Sequence, residues 1–455
     1  MRLAVYLLVV VVCSAETLTE RSRRYCTELI KIDTSNPPGN ETPAADYIRR
    51  EMEKEGIAAE VIGGEPSRQN VIARLKGSGQ QRPLLLMAHT DVVPVDPAQW
   101  TVPAFAGLVK DGYLMGRGAQ DDKCLLAAEM AVLVDLKQSG VALQRDVILL
   151  GEADEEAGST GIQWLIRNAW SKIDAEFAIN EGGSALQTPE GLHLFQIQTA
   201  EKIPTRVRLE ARGTAGHGSL PRSDNPVLHL ARALVKLSEA DQPVRLNATT
   251  RRYLQDVSKL NDFRWLSAHL SALADPATAT TAANQIRARD PEFSAILRTT
   301  VSATILTAGM KINVIPNLAT AGVDVRRLPN ETREEVVARF RQIINDPAVE
   351  VVPAGGQDMP ATEPSSMTTP LYLAMEKILA KNYKKAMVVP YMTRGATDGA
   401  FLREKGMAVY GAPVFLRQDR ESRAHGNDER ISLVSLENGT NLLREIVVAV
   451  AGQER

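Results

Sequence analysis

Apolar and polar positions change their spacing along the chain, and the changes mark out two kinds of structure. Short aliphatic runs such as Leu84-Leu85-Leu86-Met87-Ala88, Val147-Ile148-Leu149-Leu150 and Phe177-Ala178-Ile179 read as buried strands. Strand patterns also cover residues 58–62 and 70–75. Helical spacing predicts helices over 19–32, where Tyr25, Leu29 and Ile32 share a face, and over 43–55, 125–137 and 159–169. Strands alternating with helices predict an α/β domain with a mostly parallel central sheet over residues 16–200. Near Ile203 the period becomes two, as in a half-exposed strand over 205–211. Asp224 as a cap and Pro226 in the first turn start a helix to about 239. After a polar, mostly helical insertion at 241–300, strands are expected at 311–316 and 319–326, a helix at 332–344 and a strand at 350–352. That order is the split βαβ arrangement, which predicts a ferredoxin-like domain over 201–356 inserted into the first. The first domain resumes over 357–455, with a helix at 368–381, a strand near 407–410 and a final helix at 432–450.

Composition narrows the classes of function without choosing one. The 455 residues are 44% apolar and 24% charged, ordinary for a globular protein. Basic and acidic side chains number 53 and 55, for a net charge of −2, so no basic stripe points to nucleic acid. Residues 1–15 have a short positive start, an aliphatic stretch from Leu3 to Val12 and a small-residue end at Ala15. Those are the parts of a cleavable export signal, and the stretch is well short of the roughly 20 residues of a membrane span. A secreted or periplasmic protein with no stable membrane span is expected. Of three cysteines, Cys13 would leave with the signal, and a disulfide framework is excluded. Cys26 and Cys124 are expected as two unpaired thiols, with pairing in an oxidising compartment the alternative.

The chemistry sits where the apolar runs stop. His89-Thr90-Asp91 follows the first run, Glu152-Ala153-Asp154-Glu155-Glu156 the second and Asn180-Glu181-Gly182-Gly183 the third. Open parallel sheets bind ligands beyond the carboxyl ends of their strands. Acids and imidazole gathered there, with no hydrophobic purpose, suggest a metal site.

Five motifs in one order carry a resemblance over nearly the whole mature chain. They are Met-Ala-His89-Thr-Asp91, Gly-Arg-Gly-Ala-Gln-Asp121-Asp-Lys, Asp-Glu155-Glu156-Ala-Gly, Asn-Glu181-Gly-Gly and Ala-His425-Gly-Asn-Asp-Glu. With them the chain resembles the di-zinc metallopeptidases that include aminoacylase, acetylornithine deacetylase, succinyl-diaminopimelate desuccinylase and carboxypeptidases G and S. The resemblance implies two Zn(2+) per subunit, with Co or Mn as alternatives. It assigns the bridging carboxylate to Asp121, one shell to His89 and Glu181, and the other to Glu156 and His425. It also implies a cis peptide just after Asp121. Glu155 is the expected general base, a role worth ~10²–10⁴ in rate. Asp91, two residues past His89, is placed to accept the imidazole's other proton.

The same resemblance places His217, in a Gly-rich loop of the inserted domain, at a neighbouring subunit's site. There it would polarise the scissile carbonyl, which implies a homodimer through the lid domain. Asn313, Arg326 and the Gly395-Ala-Thr397 loop match substrate-binding positions. A guanidinium suits a carboxylate because its fork meets both oxygens. The 241–300 insertion resembles the carboxypeptidase S branch and is expected to reshape the lid and dimer surface. Together these imply hydrolysis of an amide bond beside a free carboxylate, of carboxypeptidase or dipeptidase type, on a small peptide. An N-acyl amino acid amidohydrolase is the alternative, and a non-catalytic peptide-binding protein the rival from another class.

Overall fold

The computed structural model describes residues 16–188, 191–355, 359–417 and 422–453; the expected export signal at 1–15 lies outside them. A ten-stranded mixed sheet forms the larger layer. At its heart Val147–Glu152, Leu84–His89, Phe177–Asn180 and Ala408–Gly411 lie side by side, all parallel. Alternate residues of these strands face opposite cores, as a period of two requires. Leu84, Leu86, Val147 and Leu149 pack under helices Leu18–Lys31, Lys123–Gln138 and Leu433–Ala451, in contact with Tyr25, Leu126 and Leu443. Leu85, Met87, Ile148 and Leu150 pack on the other side against Ile162, Leu165 and Phe401. Burial on both faces is why these runs are continuously aliphatic. Truncating one such side chain, for instance Leu86→Ala, would cost ~2–5 kcal/mol.

Antiparallel strands extend the sheet on both sides. Ala58–Glu65 and Arg68–Leu75 flank Val147–Glu152, and His193–Glu201 with Ser184–Gln187 lie beyond Ala408–Gly411. Ala386–Thr393, unforeseen in the sequence pattern, pairs in parallel with His193–Glu201.

The second sheet has four antiparallel strands in the order Thr300–Ala308, Leu318–Arg327, Ile203–Arg212, Val349–Pro353. Helices Pro226–Glu239 and Arg333–Ile344 cover one face through Leu230, Leu237, Val336 and Phe340. Chain order is strand–helix–strand–strand–helix–strand, but the second strand is Thr300–Ala308 and not 311–316. Of the latter only Val314–Ile315 is extended, paired with Gly216–His217. The helix cap also differs: Asn225, not Asp224, accepts from Val227 N, while Asp224 accepts from Thr214 N.

The helical segment of 241–300 packs on the larger sheet. Tyr253, Leu254, Ala283, Ile286 and Phe293 form one core with Leu194, Val389 and Met392. Cys26 and Cys124, both buried, are paired in a disulfide with Cα atoms 4.8 Å apart. This corrects the expectation of two free thiols; it joins helix Leu18–Lys31 to the first turn of Lys123–Gln138.

Candidate metal centre

Because the four central strands are parallel, their carboxyl ends fall along one edge. His89 ends its strand opposite Glu152, Glu181 follows Phe177–Asn180, and Asp154, Glu155 and Glu156 turn out of Val147–Glu152. Asp121 lies in the loop before helix Lys123–Gln138, with a cis peptide to Asp122. His425 arrives from the loop before Arg430–Ser432 in a left-handed conformation, φ 60°. The Gly-Gly after Glu181 has a packing reason. Gly182 takes φ 91°, and a Cβ on Gly183 would come within 2.5 Å of the Ala412 carbonyl carbon.

These residues converge. His89 Nε2 is 2.9 Å from Asp121 Oδ1 and 3.9 Å from Glu181 Oε1. His425 Nε2 is 3.2 Å from Asp121 Oδ2 and 3.0 Å from Glu156 Oε1. The two oxygens of Asp121 therefore face two different imidazoles. Donor atoms of His89, Asp121 and Glu156 lie within 4.8 Å of one another, and so do those of His89, Glu155 and Glu181. Two imidazoles and three carboxylates around a shared carboxylate are a donor set that fits a pair of divalent cations.

The electrostatics say the same. Burial raises the Glu155 carboxyl well above its ordinary value, and the neighbouring Glu181 charge adds to this. Glu181 is raised by burial and by Asp121. Burial opposes ionisation of Asp121 too, but hydrogen bonds from His425 and His89 outweigh it and hold it low. So many acids in a desolvated space repel one another, and bound positive charge relieves the repulsion.

Asp91 lies against the other face of the His89 imidazole: His89 Nδ1 is 2.9 Å from the Asp91 backbone oxygen and 3.5 Å from its carboxylate. The carboxylate also accepts the backbone N–H groups of Glu155 and Glu156, each at 3.1 Å, and the Asn36 amide at 2.7 Å. It thereby fixes the backbone of the expected base and of the adjacent ligand. Asn36, Arg68, Asp154 and Glu429 were not singled out in the sequence. Asn36 and Arg68 both donate to Asp154 at 2.8 Å. Glu429, the last residue of the His425 motif, accepts from Gln120 N at 2.6 Å, Asp121 N at 3.1 Å and Arg117 Nη1 at 2.5 Å. It ties the His425 loop to the Asp121 loop.

The substrate-side expectations fare unevenly. His217 and Asn313 come together, because Gly218 N donates to Asn313 O at 2.8 Å beside the Gly216–His217 ribbon. Both are exposed, and His217 Nδ1 is engaged by the Ser219 hydroxyl at 2.7 Å. Neither joins the metal cluster. Arg326 pairs with Asp324 at 3.2 Å. Gly395 is exposed, whereas Thr397 is buried and donates its hydroxyl to Glu201 at 2.8 Å. Glu201, itself buried, needs donors, and Thr397 anchors the loop by supplying two of them, from its backbone N–H and its hydroxyl.

A cavity of about 940 Å³ opens on the cluster, bordered by Asp121 and Glu181 on one side and by Tyr253 and Phe293 of the helical segment on the other.

Comparison with known proteins agrees with this geometry. Residues 85–449 match the peptidase family M20/M25/M40. The N-fatty-acyl-amino acid synthase/hydrolase PM20D1 of Xenopus tropicalis is 30% identical over 391 residues, covering 84% of this chain and 74% of its own. A probable carboxypeptidase S-like 2 of Dictyostelium discoideum is 28% identical over 364 residues, 77% of this chain and 68% of its own. Among solved structures, the M20 family metallo-carboxypeptidase Sso-CP2 of Sulfolobus solfataricus superposes with a TM-score of 0.73 at 22% identity, covering 94% of this chain and 98% of that one. Human carnosine dipeptidase 1 gives 0.62 at 16% identity, covering 95% and 99%. The chain thus belongs to the M20/M25/M40 peptidase family and is a metal-dependent peptidase or amidohydrolase of it.

Proposed function

We propose that the protein hydrolyses an amide bond next to a free carboxylate, as an exopeptidase of carboxypeptidase or dipeptidase type, and that His89, Glu181, Glu156, His425 and a shared Asp121 would hold two zinc ions. The observation that carries this is Asp121, whose two oxygens are directed to separate histidines. Imidazole and carboxylate donors suit Zn, and they suit Co or Mn as well. Bound cations supply Lewis acidity and lower the pKa of water. Glu155, with its carboxylate among the donor atoms of His89 and Glu181, takes a proton from the attacking water and delivers it to the leaving amine nitrogen. Water oxygen bonds to the carbonyl carbon, the C–N bond breaks, and a carboxylate and an amine result.

An N-acyl amino acid substrate is the second reading. Leu186, Leu194, Tyr253, Phe263 and Phe293 form an apolar wall to the cavity, suited to an acyl chain. Names of relatives support both classes, one being an N-fatty-acyl-amino acid synthase/hydrolase and another carboxypeptidase S-like. The proposal also extends, from the resemblance, to a homodimer in which His217 serves the partner's site. Its support is the edge strand Thr300–Ala308, open on one side with Ile305 and Leu306 exposed, and Met310 and Ile312 fully exposed nearby. Export is proposed from the first fifteen residues; among the described residues no helix is long and apolar enough to cross a membrane.

The test is a panel of dipeptides and N-acyl amino acids assayed with wild type and Glu155→Gln. Wild type should hydrolyse members of the panel, and the variant should keep its metal while losing ~10²–10⁴ in kcat. Unchanged turnover in a metal-loaded variant would reject Glu155 as the base.

A further inference from the structure

Arg417 ends the short strand Leu416–Arg417, which runs parallel to Ser184–Gln187 at the sheet's edge. Its side chain is half-buried and borders the same cavity as Asp121 and Glu181. Among the described residues its hydrogen bond runs from Nη2 to the Ser184 hydroxyl, at 2.9 Å, three residues past Glu181. No carboxylate among the described residues forms an ion pair with it. Buried guanidiniums elsewhere in the fold behave otherwise: Arg403 pairs with Glu201 at 2.7 Å, and Arg117 with Glu429.

A guanidinium stays charged at any relevant pH, with five N–H donors in a planar fork. Partial burial without a counter-charge is unfavourable, and here it pushes the Arg417 pKa down, against a smaller opposing effect of Tyr391. One donor goes to Ser184, and the remaining N–H groups are left for an anion. Leu186, its register partner, and Tyr391 lie beside it, and its partial burial strengthens any ion pair formed there.

We infer that Arg417 is the anion-binding residue of this cavity and holds a carboxylate group of the substrate. The inference rests on the amidohydrolase reading above. Two sources share that chemistry: the carboxylate of the amino acid released, or a terminal carboxylate on the acyl portion. Three matched ligands separate them, namely an N-acetyl amino acid, its carboxamide, and the carboxamide carrying an N-succinyl group. Metal-loaded wild type, Arg417→Ala and Arg417→Gln are compared by kinetics and by calorimetric binding. The glutamine can still hydrogen-bond Ser184, and so covers misfolding of the alanine variant.

The charged-over-uncharged preference should fall about 10- to 100-fold in both variants, in KM and Kd more than in kcat. Loss between the N-acetyl acid and its amide assigns the released amino acid's carboxylate. Loss between the succinyl and acetyl amides assigns the acyl side. Variants that weaken all three ligands alike, or none, overturn the inference. Wild type that binds the charged ligands through Arg417 yet hydrolyses none would sink the hydrolase reading alone.

Discussion

Two histidines share the Asp121 carboxylate, and both are held towards the protonated form by the acids around them. Hydrogen bonds to Asp121 and then Glu156 raise His425 to about 10. Burial opposes charge on His89, but Asp121 and Asp91 outweigh it and hold it well above the ordinary value. In the metal-free protein the His425 contacts stabilise the fold fully below the unfolded pKa of ~6.5, and that contribution is lost as pH rises through about 10. A protonated imidazole cannot ligate, so cation uptake must expel protons. Calorimetry of zinc binding in buffers of different ionisation enthalpy should show proton release near neutrality and an affinity that rises with pH. Uptake without protons, equally tight at pH 6 and 8, would contradict the ligand assignment. The convergence of His89, Asp121, Glu155, Glu156, Glu181 and His425 was legible because each lies within one of the five motifs. Asn36 and Arg68 were not, since their contacts to Asp154 span dozens of residues of sequence and leave no local pattern. The bond from Thr397 to Glu201 could not be foreseen, because a hydroxyl in a Gly-rich loop reads the same whether it faces a ligand or a buried acid.

At the scale of elements, the aliphatic strands and amphipathic helices of the larger layer could be read from periodicity alone. Two strands could not. Thr300–Ala308 lies at a sheet edge and is mostly exposed, so nothing selects apolar residues at alternate positions. Ala386–Thr393 mixes a proline into a run at the sheet's side, which argues against a strand on sequence grounds. The disulfide likewise depends on two helices meeting. It closes a loop of sequence separation 98 and ties the helix just after Asp121 to Leu18–Lys31. Cys26→Ser with Cys124→Ser, or reduction, should lower unfolding free energy by ~2–4 kcal/mol, seen as a shift of the denaturant midpoint. An unmoved midpoint would mean the bond contributes nothing.

For the whole molecule, the two sheets divide the labour. The larger one presents the metal cluster at its carboxyl edge, and the helical segment walls the adjoining cavity instead of extending the smaller sheet. The smaller sheet leaves the edge of Thr300–Ala308 bare, and the separate Gly216–His217 ribbon leaves His217 exposed, which is sensible if another copy covers them. Sedimentation should then give a dimer for wild type, and Ile305→Lys with Leu306→Lys should give a monomer that retains its metals. A wild-type monomer at micromolar concentration would remove the dimer and His217's proposed role together.

All of this depends on two cations sharing Asp121. The most direct measurement is metal content against activity: strip the protein with a chelator, return zinc in steps, and follow both bound metal and hydrolysis. Two equivalents per chain should bind, with full activity restored only at the second, and Asp121→Ala should fail to hold the pair. Full activity in the stripped protein, or saturation at a single equivalent, would contradict the account.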